Sequence, residues 1–329
     1  MSKIIGRQIS AGLGVEKVRG TGQLTAEKWV KKTSAYIVDK TEKVIEDSTC
    51  GAVLEDSFNR RVIKKWVEGS LEGIVQADAI GYALYNIFGT VNTTGSTVYT
   101  HAFSLLQSIL HPMLTVFIKN GDIEQYAYAG GMIGSLNISA SMDDYVRYTA
   151  NFMAKSGVAN TDTVECDTEY DFIGKDITIK LADTEAGLSG ATAVKIKAVD
   201  ITFDQGLIND FCFGSYTPDD INNGKLSIEG SFTKNFIDTV YKTLNGNYSA
   251  KYMQIVIEGG TTIGSGSDKP TLTILMNKVM ITDWAISGGS DELVEETVSF
   301  KAFYNKTDTE ACTVTLKNLT QEYSVPVSD

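Results

Sequence analysis

Two histidines are the first side chains to test for chemistry, because an imidazole can act as a general base or as a metal ligand. His101 and His111 lie ten residues apart, and no carboxylate lies within four residues of either. A zinc site needs three or four ligands at close spacing. We therefore interpret both as packed or hydrogen-bonded histidines of a loop, and the sequence predicts no metal site.

The thiols and hydroxyls do not form a nucleophile motif either. The four cysteines (Cys50, Cys166, Cys212 and Cys312) are too widely spaced for a metal or redox pair, so we expect reduced thiols. Gly69-Ser70-Leu71-Glu72-Gly73 has its serine in the wrong place for a nucleophile elbow. Paired acids such as Asp219-Asp220 follow no calcium-loop pattern. We predict no catalytic residue, no cofactor and no enzymatic activity.

The Gly/Ser-rich stretch 264–270 superficially resembles a phosphate loop. It lacks the Gly-x-x-x-x-Gly-Lys-Ser/Thr spacing, and Pro270 occupies the position of the magnesium-binding hydroxyl. It is predicted to be a flexible hairpin tip.

The elements that would position any site occur twice along the chain. Residues 132–154 align with residues 280–302 at a constant offset of 148, with nine identities in 23 positions. Glu68-Gly69-Ser70 likewise matches Glu229-Gly230-Ser231. The aligned segments have the alternation of a β-hairpin with an acidic turn. We infer an internal duplication.

One helix is predicted in each copy, after the Glu-Gly-Ser segment. In the first copy the apolar stripe is Ile80, Ala83, Leu84, Ile87 and Phe88, with Asp78 as N-cap and Gly89 as the terminating residue. In the second copy the stripe is Phe236, Ile237, Val240, Tyr241 and Leu244, with Thr233 as N-cap and Gly246 as the terminating residue. The first copy then has a longer link, from Thr90 to Pro112.

The fold class follows from this order of elements. We predict a mainly β protein with two tandem copies of a β-sandwich or barrel, each with one flanking α-helix. The polar segment between Ser156 and Tyr170 separates them. The domains are therefore placed at residues 1–160, with an N-terminal arm, and at residues 161–329.

With the duplicated unit defined, the chain resembles the major tail tube protein of long-tailed bacteriophages, in its larger two-domain form. The matching segments include Gly14-Val-Glu16-Lys-Val-Arg-Gly20-Thr21, Tyr128-Ala-Gly-Gly-Met-Ile-Gly-Ser-Leu136 and Val199-Asp-Ile-Thr-Phe203-Asp-Gln-Gly-Leu207. The resemblance implies a structural virion protein whose inner sheets join edge to edge around a channel for the ejected genome. It also implies assembly in the bacterial host cytoplasm into the virion tail, together with other tail proteins.

The resemblance also implies that single-domain members close a ring with six copies, so three copies of a two-domain chain can close the same circle. We therefore expect a homotrimeric, pseudo-sixfold ring stacked helically into a tube. The aligned hairpins are the candidates for the channel-lining sheet, and their polar positions are Ser135, Asn137, Thr149, Asn151, Asp283, Thr297 and Ser299.

The charge is uneven along the chain. The formal net charge is −12, with 16 basic and 15 acidic residues in 1–160 and 13 basic and 26 acidic residues in 161–329. This net negative charge argues against a protein that wraps nucleic acid, because phosphate binding needs an excess of Lys and Arg, and it is compatible with one that lets DNA pass without holding it. The basic residues near the N-terminus are candidates for contacts with the acidic second domain of a neighbouring copy: Lys28, Lys31, Lys32, Arg60, Arg61, Lys64 and Lys65.

Two alternatives stay open. The first is a tail terminator, completion or hub protein of the same fold that forms a single ring. The second is a β-sandwich carbohydrate-binding module, although Trp29, Trp66 and Trp284 are scattered singly along the chain. No signal peptide and no run of about 20 apolar residues is present, so no membrane partner is expected.

Overall fold

A computed structural model describes residues 3–45, 53 and 60–324 of the chain. Cys50 lies outside the described residues. Nineteen strands and two α-helices are present in the described part. In the first half of the chain they are β1 (Ile9–Val15), β2 (Lys28–Val30), β3 (Ser34–Ile45), β4 (Arg60–Ile74), α1 (Ile80–Phe88), β5 (Gly89–Gly95), β6 (Tyr99–Leu105), β7 (Leu114–Asn120), β8 (Glu124–Ser141), β9 (Arg147–Ala154) and β10 (Val158–Ala159).

The second half continues with β11 (Ile177–Ala182), β12 (Ala198–Asp204), β13 (Leu207–Asp210), β14 (Asp220–Asn223), β15 (Ser227–Asn235), α2 (Val240–Asn247), β16 (Lys251–Glu258), β17 (Thr271–Ser287), β18 (Glu295–Ala302) and β19 (Cys312–Asn318). The protein is mainly β, as the sequence predicts. No helix among the described residues has the length and apolar character needed to cross a membrane.

One sheet of eight antiparallel strands, here called the long sheet, runs through both halves. Its order is β3-β4-β9-β8-β12-β15-β18-β17, with β8 contributing residues 132–141 and β17 contributing residues 279–287. The first four strands come from the first half of the chain, and the last four come from the second. The pairing of β8 with β12 joins the two sets.

Two smaller sheets cover one face of the long sheet. The first has the order β2-β1-β7-β8-β10 and uses residues 124–131 of β8. The second has the order β11-β16-β17-β19-β6-β5 and uses residues 271–276 of β17. Because β8 and β17 each belong to two sheets, each half closes partly on itself around an apolar core.

Strand alternation separates the two faces of the long sheet. On β8, Leu136 and Ile138 are buried in the core, whereas the alternate residues point to the opposite face. The same alternation buries Ile201 and Phe203 on β12. The ring of Phe203 packs edge-on against that of Phe88 in α1. The core therefore continues across the β8–β12 junction.

The first predicted helix is confirmed except for its N-cap. All five residues of its stripe are buried, and Gly89 ends it in the left-handed region at φ 83°. Asp78 does not cap it. Instead, the Glu169 carboxylate accepts hydrogen bonds from the backbone N–H groups of Asp78 and Ala79, at 2.9 and 3.0 Å. A carboxylate from a distant part of the chain thus accepts the hydrogen bonds that a local N-cap residue would accept.

The predicted bounds of the second helix are wrong at both ends. Thr233 lies within β15, whose ladder with β18 runs on to Asn235, so the helix begins only at Val240. It passes through Gly246, and the left-handed residue at its end is Tyr248, at φ 50°. Phe236 and Ile237 have helical spacing, but they lie outside the helix because the strand pairing continues up to Asn235. The Asp238 side chain accepts a hydrogen bond from the Val240 N–H.

The link between Thr90 and Pro112 contains a β-hairpin, which corrects the interpretation of His101 as a loop residue. Strands β5 and β6 form this hairpin, and β6 pairs with β19 of the second half. His101 and Phe103 on β6 are fully buried. Alternation from Tyr99 to Leu105 was the available signal. The hairpin fastens the first half of the chain to the second at a site away from the β8–β12 junction.

The duplication in the sequence has a counterpart in the strand pairing. A bulge interrupts the β8–β9 ladder between Ile133 and Ser135, and another interrupts the β17–β18 ladder between Ile281 and Asp283, 148 residues on. A Cβ atom on Gly69 would lie 2.4 Å from Phe152 Cζ, and one on Gly230 would lie 2.6 Å from Phe300 Cζ. The aligned glycines are thus needed for the same close approach.

The two copies have diverged beneath their helices. In the second, Lys234 Nζ lies 2.5 Å from Glu296 Oε1, and both side chains are buried. Trp284 Nε1 donates to the other oxygen of Glu296 at 2.7 Å. The equivalent pair in the first copy is Gly73 and Tyr148.

Candidate channel-facing and assembly surfaces

The face of the long sheet opposite the core is here called the polar face. Its seven sequence-predicted members are Ser135, Asn137, Thr149, Asn151, Asp283, Thr297 and Ser299. The ladders place Ser135 opposite Asn151, Asn137 opposite Thr149, and Asp283 opposite Ser299. None of the seven is buried. The structure therefore brings all seven to one face of one sheet.

Hydrogen bonds connect these side chains across the strands. Asn151 Nδ2 donates to Ser135 Oγ at 2.9 Å. Asn137 Nδ2 donates to Asp200 Oδ2 at 2.8 Å and to Thr202 Oγ1 at 2.9 Å, so it bridges the two halves. The Thr233 and Thr297 hydroxyls are 3.4 Å apart. The polar face is an ordered surface of short polar side chains.

Strands β12 and β15 supply members of the polar face that the sequence analysis did not select. They are Asp200, Thr202, Asp204, Glu229, Ser231 and Thr233. The alternation of Val199, Ile201 and Phe203 with polar residues was the available signal. These residues lie outside the two aligned hairpins, so the sequence repeat does not indicate them.

Acidic side chains outnumber basic ones on the polar face of the long sheet as a whole. Besides Asp200, Asp204 and Glu229, the acidic members are Glu42, Glu68, Glu72, Asp283 and Glu295, against Lys40, Lys64, Arg147 and Lys301. Lys40 Nζ lies 3.1 Å from Glu68 Oε2, and Lys301 forms an ion pair with Glu229. The hydrogen bonds from Lys301 and Ser227 hold the pKa of Glu229 below its usual value. The face therefore stays negative at neutral pH.

The seven basic candidates do not form one cluster. Lys28 is the first residue of β2, and Lys31 and Lys32 follow its last residue. Near the start of β4 lie Arg60, Arg61, Lys64 and Lys65. Thr33 donates to the Glu72 carbonyl, which is eight residues along β4 from Lys64, about 26 Å at ~3.3 Å per residue. The two groups are thus separated by much of the length of a strand.

Acids of the same chain already contact several of these lysines. Lys28 Nζ lies 3.1 Å from Glu169 Oε1 and 3.2 Å from Asp167 Oδ2. Lys31 Nζ lies 3.6 Å from Asp171, and Lys64 Nζ lies 2.8 Å from Glu42. Lys64 also lies over the Phe211 ring, and the Lys65 N–H donates to the Tyr216 carbonyl. Acidic side chains of the same chain thus already neutralise several of the lysines that were expected to contact a neighbouring copy.

The histidines are held by hydrogen bonds within the chain, and the described cysteines are free thiols. His101 Nε2 lies 2.9 Å from the Thr320 carbonyl and Nδ1 lies 2.9 Å from Thr93 Oγ1, and burial lowers the pKa of its ring. His111 lies between the Asn86 and Leu106 carbonyls. Cys312 is buried, and Cys166 and Cys212 are exposed free thiols. Among the described residues, no group of three or more His, Cys, Asp or Glu side chains could hold a metal ion.

The tryptophans do not line a common groove. Trp29 is buried against Phe117, and Trp66 packs against Phe211. Trp284 lies on the core side of β17, against Phe236. A stacking platform for sugars would need aromatic faces side by side on the surface.

Both edges of the long sheet are open in the described part of the chain. Strand β3 pairs with β4 alone, and residues 280–287 of β17 pair with β18 alone. Apolar side chains are exposed along these edges, including Tyr36 on β3 and Ile286 on β17. Open edges with exposed apolar residues are usually protected or used for association.

Comparisons with known proteins identify a protein family and a similar solved structure. No curated protein is significantly similar to the chain in sequence. A solved structure, described as the hybrid structure of the SPP1 tail tube by solid-state NMR and cryo EM, is 14% identical. The match covers 46% of this chain and 81% of that one, with a TM-score of 0.30. The family model described as phage tail tube protein matches residues 6–302, and the chain therefore belongs to the phage tail tube protein family.

Proposed function

We propose that three copies of this chain close a pseudo-sixfold ring and that such rings stack helically into the hollow tail tube that conducts the genome during ejection. The single observation that carries the proposal is the long sheet. It consists of two equivalent four-stranded units from one chain, and both of its edges are open within the described residues. Three chains supply six such units, the number that the expected pseudo-sixfold symmetry needs.

We assign the polar face to the channel wall. Its hydroxyl and amide groups keep the wall wetted, and its excess of carboxylates repels the phosphates of DNA. Tight binding of DNA would require a wall that releases counterions through Lys and Arg contacts. A negative wall instead lets the duplex slide. The proposed domains at 1–160 and 161–329 each contribute one four-stranded unit to this wall.

The outer faces of the covering sheets and the loops are left for contacts with other tail proteins and with the next ring. We place assembly in the bacterial host cytoplasm and the finished tube in the virion tail. The free cysteines agree with assembly in a reducing compartment.

Cryo-electron microscopy of the purified, assembled protein tests the proposal. The expected map has three chains per ring, with Asn137 and Thr297 facing the lumen. Six chains per ring, or these side chains on the outside, would overturn it. Rings that never stack into tubes would favour a terminator or hub protein of the same fold instead.

A chemical test addresses the direction of the polar face without a map. In a background with Ser at Cys50, Cys166 and Cys212, Thr297→Cys should react with a bulky polymer maleimide before assembly and be protected afterwards. Thr315→Cys is the matched control, because Thr315 lies on β19 with its side chain on the outer face of a covering sheet. Equal labelling of both variants in assembled tubes would refute a lumenal polar face.

A further inference from the structure

The β8–β12 junction shows how two four-stranded units join. Seven residue pairs make up this antiparallel ladder, from Ala198 opposite Ser141 to Asp204 opposite Ser135. On the core side Ile201 lies opposite Ile138, and both are buried. On the polar face Thr202 lies opposite Asn137, which donates a hydrogen bond to it. The junction thus has an apolar side and a polar side.

Each strand of that junction has an equivalent at an open edge. Strand β17 is the equivalent of β8, because the aligned sequences and the bulges coincide at an offset of 148. Strand β3 is the equivalent of β12. Ile37 pairs with Gly69 as Ile201 pairs with Gly230, and these two glycines pack against aligned phenylalanines. The chain therefore carries both halves of a second junction, at opposite edges of one sheet.

We propose that β3 of a second copy of this chain pairs with residues 283–287 of β17 in the register of the internal junction. The proposal rests on the ring proposed above and specifies its interface. Transferring the β8–β12 register places Ile37 opposite Ile286, Val38 opposite Ala285 and Lys40 opposite Asp283. The occupant of each open edge is thus the other edge of an identical chain.

The side chains at the transferred positions are complementary. Ile286 is 46% exposed in the single chain, and the pairing covers it with Ile37, as Ile138 is covered by Ile201. Lys40 and Asp283 have opposite charges and meet on the polar face. Lys40 already contacts Glu68 of its own chain, so Asp283 would be its second acidic neighbour.

The exposed apolar side chains on and beside helix α2 also support the pairing of a second copy with β17. Helix α1 lies beneath the internal junction and is almost wholly buried, with Phe88 against Phe203 of β12. Helix α2 lies beside β17, where Lys242 covers the Trp284 ring. Val240 on this helix is 53% exposed, and Ile237 just before it is 76% exposed. A second copy on the edge of β17 would shield apolar surface where the single chain leaves it open.

Cysteine cross-linking tests the register. In the background with Ser at Cys50, Cys166 and Cys212, the variant Val38→Cys/Ala285→Cys should form disulfides between chains on mild oxidation, because directly opposed residues have Cβ atoms about 4.5–5.5 Å apart. Val38→Cys/Asp283→Cys, two residues out of register, should cross-link at least tenfold more slowly. Asn137→Cys/Thr202→Cys is the internal control and should cross-link within one chain. Equal or faster reaction of the shifted pair would overturn the register.

Charge reversal tests the Lys40–Asp283 contact. Lys40→Glu and Asp283→Lys should each reduce the yield of assembled protein at least tenfold, and Lys40→Glu/Asp283→Lys should recover most of it. Lys301→Glu is the control, because Lys301 lies on the polar face of β18, an inner strand that is already paired on both sides, with β15 and with β17. A double variant no better than the single ones would overturn the contact. Circular dichroism of the unassembled variants should show an unchanged fold.

The two proposals fail in different ways. Wild-type protein that forms six-membered rings, or no rings, refutes the proposed function. Three-membered rings in which the shifted cysteine pair reacts at least as fast as the matched pair leave that function intact and refute the register alone.

Discussion

The buried pair of Lys234 and Glu296 gives the sharpest prediction about stability. Lys234 Nζ and Glu296 Oε1 are 2.5 Å apart, and the two side chains are 5% and 0% exposed. The Tyr241 ring lies over the ammonium group, and Trp284 donates to the second carboxylate oxygen. Glu296→Gln keeps the shape of the side chain but leaves the ammonium group buried without its counter-charge.

The expected cost follows from that burial. Breaking one partner of a buried pair lowers the free energy of unfolding by about 3–5 kcal/mol. Glu295→Gln is the matched control on the adjacent residue. Its partner is Lys197, and both side chains of that pair are about one-third exposed, so solvent screening keeps the loss below about 1 kcal/mol.

Urea unfolding of the unassembled chain measures the difference, followed in parallel by tryptophan fluorescence and circular dichroism to test two-state behaviour. The double variant Lys234→Met/Glu296→Leu should recover most of the stability lost in Glu296→Gln, because two apolar side chains replace the pair. A Glu296→Gln loss no larger than that of Glu295→Gln would refute this reasoning. So would a double variant less stable than Glu296→Gln.

Three further predictions concern packing and titration. Gly69→Ala should lower the free energy of unfolding by about 1–3 kcal/mol, because its Cβ would overlap Phe152. Gly246→Ala in α2 meets no atom within 4 Å and should raise the free energy of unfolding by about 0.5–1 kcal/mol. Thermal melts of both variants check this, and a stabilised Gly69→Ala would contradict it. Tyr323→Phe should cost about 1–3 kcal/mol in urea unfolding, because the buried Tyr323 hydroxyl donates to the Asp78 carbonyl and accepts from Asn318 Nδ2; an unchanged midpoint would argue against those bonds. Burial raises the pKa of Glu16 in the folded chain despite hydrogen bonds from Gly130, Gly20 and Thr115. The folded state therefore holds this proton more tightly than the unfolded state, and the stability that Glu16 contributes should be lost as pH rises above about 4.5. Glu16→Gln should lose less over that range, and parallel pH profiles for the two proteins would refute the assignment.

Local signals were enough to predict the repeated parts of the fold. The aligned hairpins at 132–154 and 280–302 are strands with a shared bulge, and the stripe from Ile80 to Phe88 is a helix ending at Gly89. These features depend on alternation, helical spacing and one left-handed glycine. All three can be found within a short window of sequence.

Features set by distant partners were not predicted. Glu169 caps α1 from 89 residues beyond its first residue, and nothing near Asp78 indicates that carboxylate. Strand β6 pairs with β19, more than 200 residues away. The members of the polar face on β12 and β15 became evident only when the β8–β12 pairing placed them beside Asn137. Long-range pairing of this kind leaves only weak alternation in the sequence.

The β8–β12 ladder also determines the order of assembly. Because both strands belong to one chain, this junction forms at any protein concentration. The β6–β19 pairing holds the same two halves together at a second place. In a ring of three chains, half of the six sheet junctions would therefore exist before any two molecules meet. Dilution would open such a ring only between chains and would release folded two-unit blocks.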